Sequence, residues 1–342
     1  MNQIEIAETR AILDNRGVPT NLGWARDPHF VYNAASVWTP QRWISSSDKY
    51  IIFSKSFMFI FEIYDGGFLG FINVTAVSLI DKHIASRTIP IPFPLGDLNL
   101  PTTSEAGSIR WHHEKTILDF IVMDQGSKII KIEIPQVGHN RNLRGEVVLI
   151  KPPDAQGLYT NSLHQGENRC FQFSHCSPWW SVEGVMQYEN IEMPFKKGRA
   201  WGIFYWNRIV RPKKDVHYWA AGCGLVNTRE VNFSIGYGTA DSSCGTENAF
   251  FVNGKLHKLE LVTFQLSPLG WLQPWKFTSN DFRLEMAFYP IQQYTRKNYI
   301  FNQLYKVQQV YGFFSGSITL DDGSRLQFER ITGLVEKRKT KS

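Results

Sequence analysis

Residues 232–265 read NFSIGYGTADSSCGTENAFFVNGKLHKLELVTFQ, and this stretch decides the fold. Two apolar runs, 250–252 and 256–261, flank Asn253-Gly254, a dipeptide that readily takes φ > 0 at both central positions of a tight turn. The segment is therefore predicted to be a β-hairpin. Ahead of it, Gly236 and Gly238 permit bends or close backbone approach, and Thr246-Glu247-Asn248 brings a carboxylate and an amide to the start of an otherwise apolar strand. Glu247 and Asn248 are the leading site candidates. Alternation places Ala249 and Phe251 on the face of Glu247, so the carboxylate is expected to point into an interior or cavity, where burial is costly without a partner. Arg199, Arg208, Lys255 and His257 are the expected partners. An apolar pocket would raise the pKa of Glu247 and make it a general acid, whereas Arg208 beside it would lower that pKa and leave an anchor. A buried ion pair that only fixes strand register is the structural alternative.

The same rhythm runs outward from this hairpin. From Trp43 onward short apolar runs alternate with turns: 50–53, 57–64, the turn Asp65-Gly66-Gly67, then 68–79, 109–113, 115–123, 129–134 and 144–151. The series resumes at 170–174 and continues through 199–206, 217–222 and 231–237 to 316–320 and 325–330. No long apolar stripe of helical period occurs, so the expected fold is all-β, two tandem antiparallel β-barrels or sandwiches with few short helices. Residues 1–20 are expected to open with one or two helical turns, and 21–28 to form a turn-rich lid or edge around Trp24. Four prolines make residues 88–106 a loop or a broken edge strand. Pro152-Pro153 marks the expected domain boundary, giving domains at 1–152 and 153–335 and a basic, solvated tail at 336–342.

The chain has 342 residues, enough for a large core, and a net charge of +6, half of it contributed by the last seven residues. A second basic cluster, Lys196, Lys197, Arg199, Arg208, Arg211, Lys213 and Lys214, reads as charged loop ends or as a lure for an anionic ligand at a cavity mouth. No nucleic-acid-binding motif accompanies either cluster, and no apolar run is long enough to span a membrane. With four irregularly spaced cysteines and no leader-like segment, the sequence suggests a soluble cytoplasmic protein with reduced thiols. Gly236-x-Gly238 lacks the third glycine of a dinucleotide site, and no Walker A, G-x-S-x-G or H-E-x-x-H motif occurs. His112 and His113 would face opposite sides of a strand, and Cys170, His175 and Cys176 match no common zinc spacing, so no metal or cofactor is expected. Aromatic residues make up 14% of the chain. Both faces of the strand at 199–208 carry them, Trp201 and Tyr205 on one and Phe204 and Trp206 on the other, as suits a barrel strand between a pocket and an adjoining element.

At these residues the chain resembles the family known as domain of unknown function 2804. The likeness runs from Leu22-Gly23-Trp24-Ala25-Arg26 and Arg42-Trp43 through residues 203–221 to Gly245-Thr246-Glu247-Asn248-Ala249 and Asn253-Gly254-Lys255-Leu256-His257-Lys258-Leu259. It ends near residues 312–316. The resemblance implies tandem lipocalin-like β-barrels similar to the carotenoid-hydratase and tocopherol-cyclase-like group, whose members act on or hold large apolar isoprenoids. Where the family pattern has an aspartate followed by Trp-Gly-Arg-Gly, this chain reads Tyr205-Trp206-Asn207-Arg208-Ile209, and Gly157 stands in a region where an acid is expected. A tyrosine cannot replace a catalytic carboxylate. The sequence therefore suggests a binder of a small amphipathic or apolar molecule in a β-barrel cavity. Glu247, Asn248 and Arg208 would anchor it, Trp206 and Trp219 would wall it, and Tyr205 and His257 would contribute to its lining. The alternatives are a hydratase, cyclase or isomerase in which Glu247 protonates a double bond, and a carbohydrate-active protein, which would need a second carboxylate in the same cavity.

Overall fold

The computed structural model describes residues 3–341 except His139, with the backbone alone at Trp179. Three short strands, β1 (Arg10–Ala11), β2 (Gly23–Ala25) and β3 (Phe30–Val31), precede a meander of β4 (Ile44–Ser54), β5 (Phe57–Gly66), β6 (Leu69–Ser78) and β7 (His83–Pro92). The chain continues through β8 (Ile109–His113), β9 (Thr116–Val122), β10 (Lys128–Ile134), β11 (Leu143–Ile150), β12 (Leu158–Leu163), β13 (Phe171–Tyr188), β14 (Ile191–Phe195) and β15 (Ala200–Val210). The second half comprises β16 (Lys214–Val226), β17 (Arg229–Gly238), β18 (Ala249–Val252), β19 (Lys255–Lys258), β20 (Val262–Gln265), β21 (Trp275–Ser279), β22 (Leu284–Ile300), β23 (Gln303–Thr319) and β24 (Arg325–Lys341). Among the described residues the helical elements are three single 3-10 turns, at Ala34–Ser36, Gln41–Trp43 and Asp124–Gly126.

The expected all-β architecture holds. The long strands form two antiparallel sheets, each curled into a half-barrel. The spine of the first runs β7-β6-β5-β4-β15-β13-β11-β10-β9-β8, and the second runs β19-β18-β17-β16-β24-β23-β22-β21-β20. Three cores result. One fills the first half-barrel, and a second, rich in phenylalanine (Phe233, Phe250, Phe277, Phe288, Phe314), fills the other. The third lies between the sheets, where Ile51, Phe53, Ile203 and Tyr205 of the first meet Trp219, Phe251 and Tyr311 of the second. Strand β15 is buried along its whole length because each face meets a different core. A fully buried large apolar side chain contributes about 1.5–3 kcal/mol, so a one-residue slip that exchanged Tyr205 with Trp206 would be strongly disfavoured.

The hairpin at Asn253-Gly254 forms as its chemistry dictates, with φ of 47° and 79° at the two turn residues and Val252 paired with Lys255. The prolines of β7 lie on a strand at the edge of the first sheet, where a missing N–H breaks no ladder. Elsewhere the structure departs from expectation. Described residues 3–20 contain no helical turn. Arg10–Ala11 pairs in parallel with Phe30–Val31, and Asp14 closes a turn by accepting from the N–H groups of Arg16 and Val18. The basic C-terminus is no solvated tail: residues 336–341 are the end of β24, paired with β23 and β16, while Ser342 lies outside the described residues. Its inward charges, Glu336 and Arg338, are buried against groups from the rest of the chain. Pro152-Pro153 ends β11 inside the first sheet, and the passage to the second sheet comes at residues 211–213, so the expected boundary at 152/153 does not mark the change of sheet.

Candidate functional site

Glu247 lies in the bend just ahead of β18, not within the strand, and this turns its carboxylate into the seam between the sheets. Oε1 accepts hydrogen bonds from Gln172 Nε2 (2.8 Å), Ser174 Oγ (2.6 Å) and Tyr205 Oη (2.7 Å), all on the first sheet. Oε2 meets His217 Nε2 of the second sheet at 2.6 Å. Alternation explains the convergence. Gln172, Ser174 and Cys176 share one face of β13 with their partners Ile209, Asn207 and Tyr205 on β15, and His217 shares the facing side of β16 with Trp219. Gly236 leaves room for the pair: a Cβ there would lie 3.2 Å from both Glu247 Oε2 and His217 Nε2. The Glu247 side chain is only 13% exposed. Burial alone would raise its pKa, but the His217 imidazole and the hydrogen bonds from His217, Ser174 and Tyr205 outweigh burial and hold it down to about 2. Burial, and then the adjacent carboxylate, push the Tyr205 phenol well above its ordinary value, so it stays a donor.

Above this group opens a cleft of about 370 Å³. Thr160, Ser162 and Gln172 of the first sheet line one side, His217, Gly236 and Gly238 of the second the other, and Tyr237, Val262 and Phe264 add an apolar wall. Asp241 and Glu247 line it, but no lysine or arginine among the described residues does. The cleft thus lies at the junction of the sheets and not in the β-barrel cavity expected from the sequence; the interior of the second half-barrel is filled by interlocked rings such as Phe233–Phe314 and Phe264–Phe277, with centroids 4.8 and 4.7 Å apart.

The other predicted residues divide. Tyr205 is a donor to Glu247 and stacks on Trp219, ring centroids 4.9 Å apart, so Trp219 backs the site from beneath with its Nε1 on Ser234 Oγ (2.9 Å). Asn248 lines the cleft, yet both ends of its amide are committed to the frame, Oδ1 to Gly236 N (2.8 Å) and Nδ2 to Glu260 O (2.7 Å). Arg208 and Trp206 are elsewhere. They point from the opposite face of β15 into the first half-barrel, where Arg208 meets Asp48 at 3.0 Å and lies over the Trp206 ring at 4.2 Å. His257 sits on β19 beside Asp321, 3.2 Å from its carboxylate, and Arg199 and Lys255 are exposed, so none of the four expected partners reaches Glu247.

Of the residues that do reach it, only Tyr205 was singled out from the sequence. Gln172, Ser174 and His217 arrive by long-range strand pairing, and only the alternation around His217-Tyr218-Trp219 carried a local signal that His217 faces inward with Trp219. Lys258, also missed, pins the Glu247 bend: its buried Nζ donates to Thr246 Oγ1 (2.7 Å), Leu259 O (2.7 Å) and Asn248 O (3.0 Å). Gly157, where an acid was expected, lies against His175, and a Cβ there would come within 2.5 Å of the imidazole. Farther along the seam, buried ion pairs tie the sheets together. Lys49 meets Glu336 at 2.9 Å and Arg296 meets Glu62 at 2.5 Å, with Tyr305 and Gln309 donating to the two carboxylates.

The chain matches the model of the family described as Domain of unknown function (DUF2804) over residues 3–341, and it belongs to that family. No curated protein matches it. Among solved structures it is similar to CghA with Sch210972, at 10% identity and a TM-score of 0.52, covering 88% of this chain and 89% of that one. A structure of CghA gives 10% identity and 0.51, covering 88% of each chain. Kievitone hydratase from Nectria haematococca gives 10% identity and 0.48, covering 86% of this chain and 88% of that one. At such identity the CghA likeness shows the fold alone, a tandem lipocalin-like arrangement. No helix among the described residues is long and apolar enough to cross a membrane.

Proposed function

We propose that this DUF2804 member binds a small amphipathic molecule in the seam cleft, with a polar, uncharged or cationic end over Glu247 and His217 and an apolar part against Tyr237, Val262 and Phe264. The observation that carries this reading is the convergence of four hydrogen-bonding side chains from two sheets on one ionised carboxylate at the floor of an open cleft. A register pair needs one partner, whereas this carboxylate has a full shell and still lines a cavity. Two carboxylates and no lysine or arginine in the lining disfavour an anionic ligand. The volume suits part of a drug-sized molecule. The structure of CghA with Sch210972 offers a fold-level parallel for small-molecule binding on such a frame.

One observation favours a second reading, proton transfer. Glu247 holds Nε2 of His217, and Nδ1 has no hydrogen-bond partner among the described residues, the arrangement in which a carboxylate orients an imidazole that acts as a base. In this reading His217 moves the proton and Glu247 positions it. Protonation of a double bond by Glu247 itself fits poorly with a carboxyl held near pKa 2. Glycoside cleavage fits poorly for the same reason, since it requires a protonated acid.

Native mass spectrometry of the protein purified from its source tests binding. A retained small molecule is expected on the wild type and not on Gly236→Val, whose side chain fills the space over the dyad. A bare mass for both proteins, or an adduct that survives in Gly236→Val, would overturn the assignment to this cleft.

A further inference from the structure

The basic run at the C-terminus, placed on β24, separates two kinds of charge. Glu336, Arg338 and Thr340 face the first sheet and are buried, whereas Lys337, Lys339 and Lys341 take the opposite face. On that face Lys339 stands directly across from Lys306, and Lys306 across from Lys297, so three exposed lysines lie abreast on β24, β23 and β22. In the adjoining row Lys214 is paired with Lys341. The remaining positions of these two rows, Val216, Leu304 and Tyr299, are uncharged, Lys337 in the next row stands across from uncharged Gln308, and none of the lysines forms an ion pair among the described residues.

Like charges directly opposite one another destabilise a ladder, and with strands about 4.8 Å apart three ammonium groups share a strip about 10 Å wide. A surface of opposite sign would relieve that repulsion. The hairpin that joins β22 to β23 extends the same end of the sheet with apolar side chains: Tyr299 is 64% and Phe301 68% exposed, and Phe301 touches Phe93 at a centroid distance of 5.5 Å. Leu95, in the same loop as Phe93, is exposed as well. A basic face bordered by exposed aromatic and aliphatic groups matches the two layers of a lipid surface, anionic headgroups outside and the acyl boundary beneath. A nucleic acid would use the lysines but leave Leu95 and Phe301 in water.

We propose that this face docks on an anionic lipid surface, with Lys297, Lys306 and Lys339 on the headgroups and Tyr299 and Phe301 dipping into the interface. The proposal does not depend on the seam cleft. Co-sedimentation of the full chain with phosphatidylcholine vesicles, with and without phosphatidylserine, tests it. Binding is expected only with phosphatidylserine, weaker at high salt, and reduced roughly a hundredfold in the triple variant Lys297→Gln, Lys306→Gln, Lys339→Gln, a factor of about five per lysine. Removing like charges from an exposed row should leave the thermal melting temperature unchanged or raise it, which checks that the triple variant is folded. The Phe301→Ser variant should bind less tightly even at low salt. Wild-type protein left in the supernatant with phosphatidylserine vesicles would overturn the proposal, as would undiminished binding by the triple variant. Tighter retention by duplex DNA than by the vesicles would assign the face to nucleic acid instead.

Discussion

Tyr205 and Trp206 are neighbours on β15, yet alternation sends them into different interiors, and the contrast separates a site from a scaffold. On the seam face, Tyr205 donates to an ionised carboxylate that has a partner for each oxygen and a cleft above it. On the barrel face, Trp206 is packed against Phe173 and Tyr32 with no partner for its Nε1 among the described residues, and Arg208 is spent on Asp48 and on backbone carbonyls of Ser47, Asn207 and Pro101. Charges that hold a barrel together face inward and are consumed by the frame. Most charges in the seam, such as Lys49 and Glu336, are consumed in the same way, but Glu247 also lines an open cleft.

If that division is right, Arg208→Leu has the largest effect. It strands Asp48 in the first interior and should cost about 3–5 kcal/mol in urea denaturation while ligand retention, measured on the folded fraction, is unchanged. Adding Asp48→Leu should restore most of the loss. If both variants lose the ligand before they lose stability, the two faces are not separate.

The faces should also answer differently to acid. His175 lies on the barrel side, stacked on Tyr159 at 3.9 Å, with Glu105, Lys151 and Lys128 as the charged groups around it. Burial lowers its pKa from 6.5 to about 3, against the pull of Glu105, so the folded state keeps the ring neutral. Its contribution is fully present above pH 6.5 and is lost as pH falls toward 3. The difference between wild type and His175→Gln should therefore change by about 1.4 kcal/mol per pH unit below 6.5. Glu247 is depressed from 4.5 to about 2, so its stabilisation persists until pH falls below 4.5. Glu247→Gln should cost about 2 kcal/mol at neutral pH, abolish ligand retention, and remove the part of the acid transition that lies below pH 4.5. Equal losses from both variants at pH 5.5 relative to pH 7 would erase the distinction. Smallest is Tyr205→Phe, which removes one of three donors to Oε1 and should cost about 1 kcal/mol with a weakened rather than absent ligand.

The fold was largely legible because its signals are local. Period-two alternation and the Asn253-Gly254 turn need only their own neighbours. Glu247 stood out for the same reason, a carboxylate at the edge of an apolar run. What failed required knowledge of distant strands. The seam side of β24 carries Glu336 and Arg338, which look like a solvated run until Lys49, Gln309 and Asp215 are brought opposite them. The partners of Glu247 lie 30–75 residues away in sequence, and matching it to a formal charge chose Arg208, farther along the chain than His217, and passed over the neutral donors Gln172 and Ser174. Pro152-Pro153 marked a strand end, which is all that prolines specify.

The central claim is that Glu247 stands in the seam as an anion that organises its neighbours. A carbon-13 titration of the Glu247 carboxyl, assigned by comparison with Glu247→Gln, tests it directly. The account predicts a midpoint well below 4.5, near 2; a midpoint at or above 4.5 would mean the carboxyl is a proton donor in an apolar pocket and would contradict it.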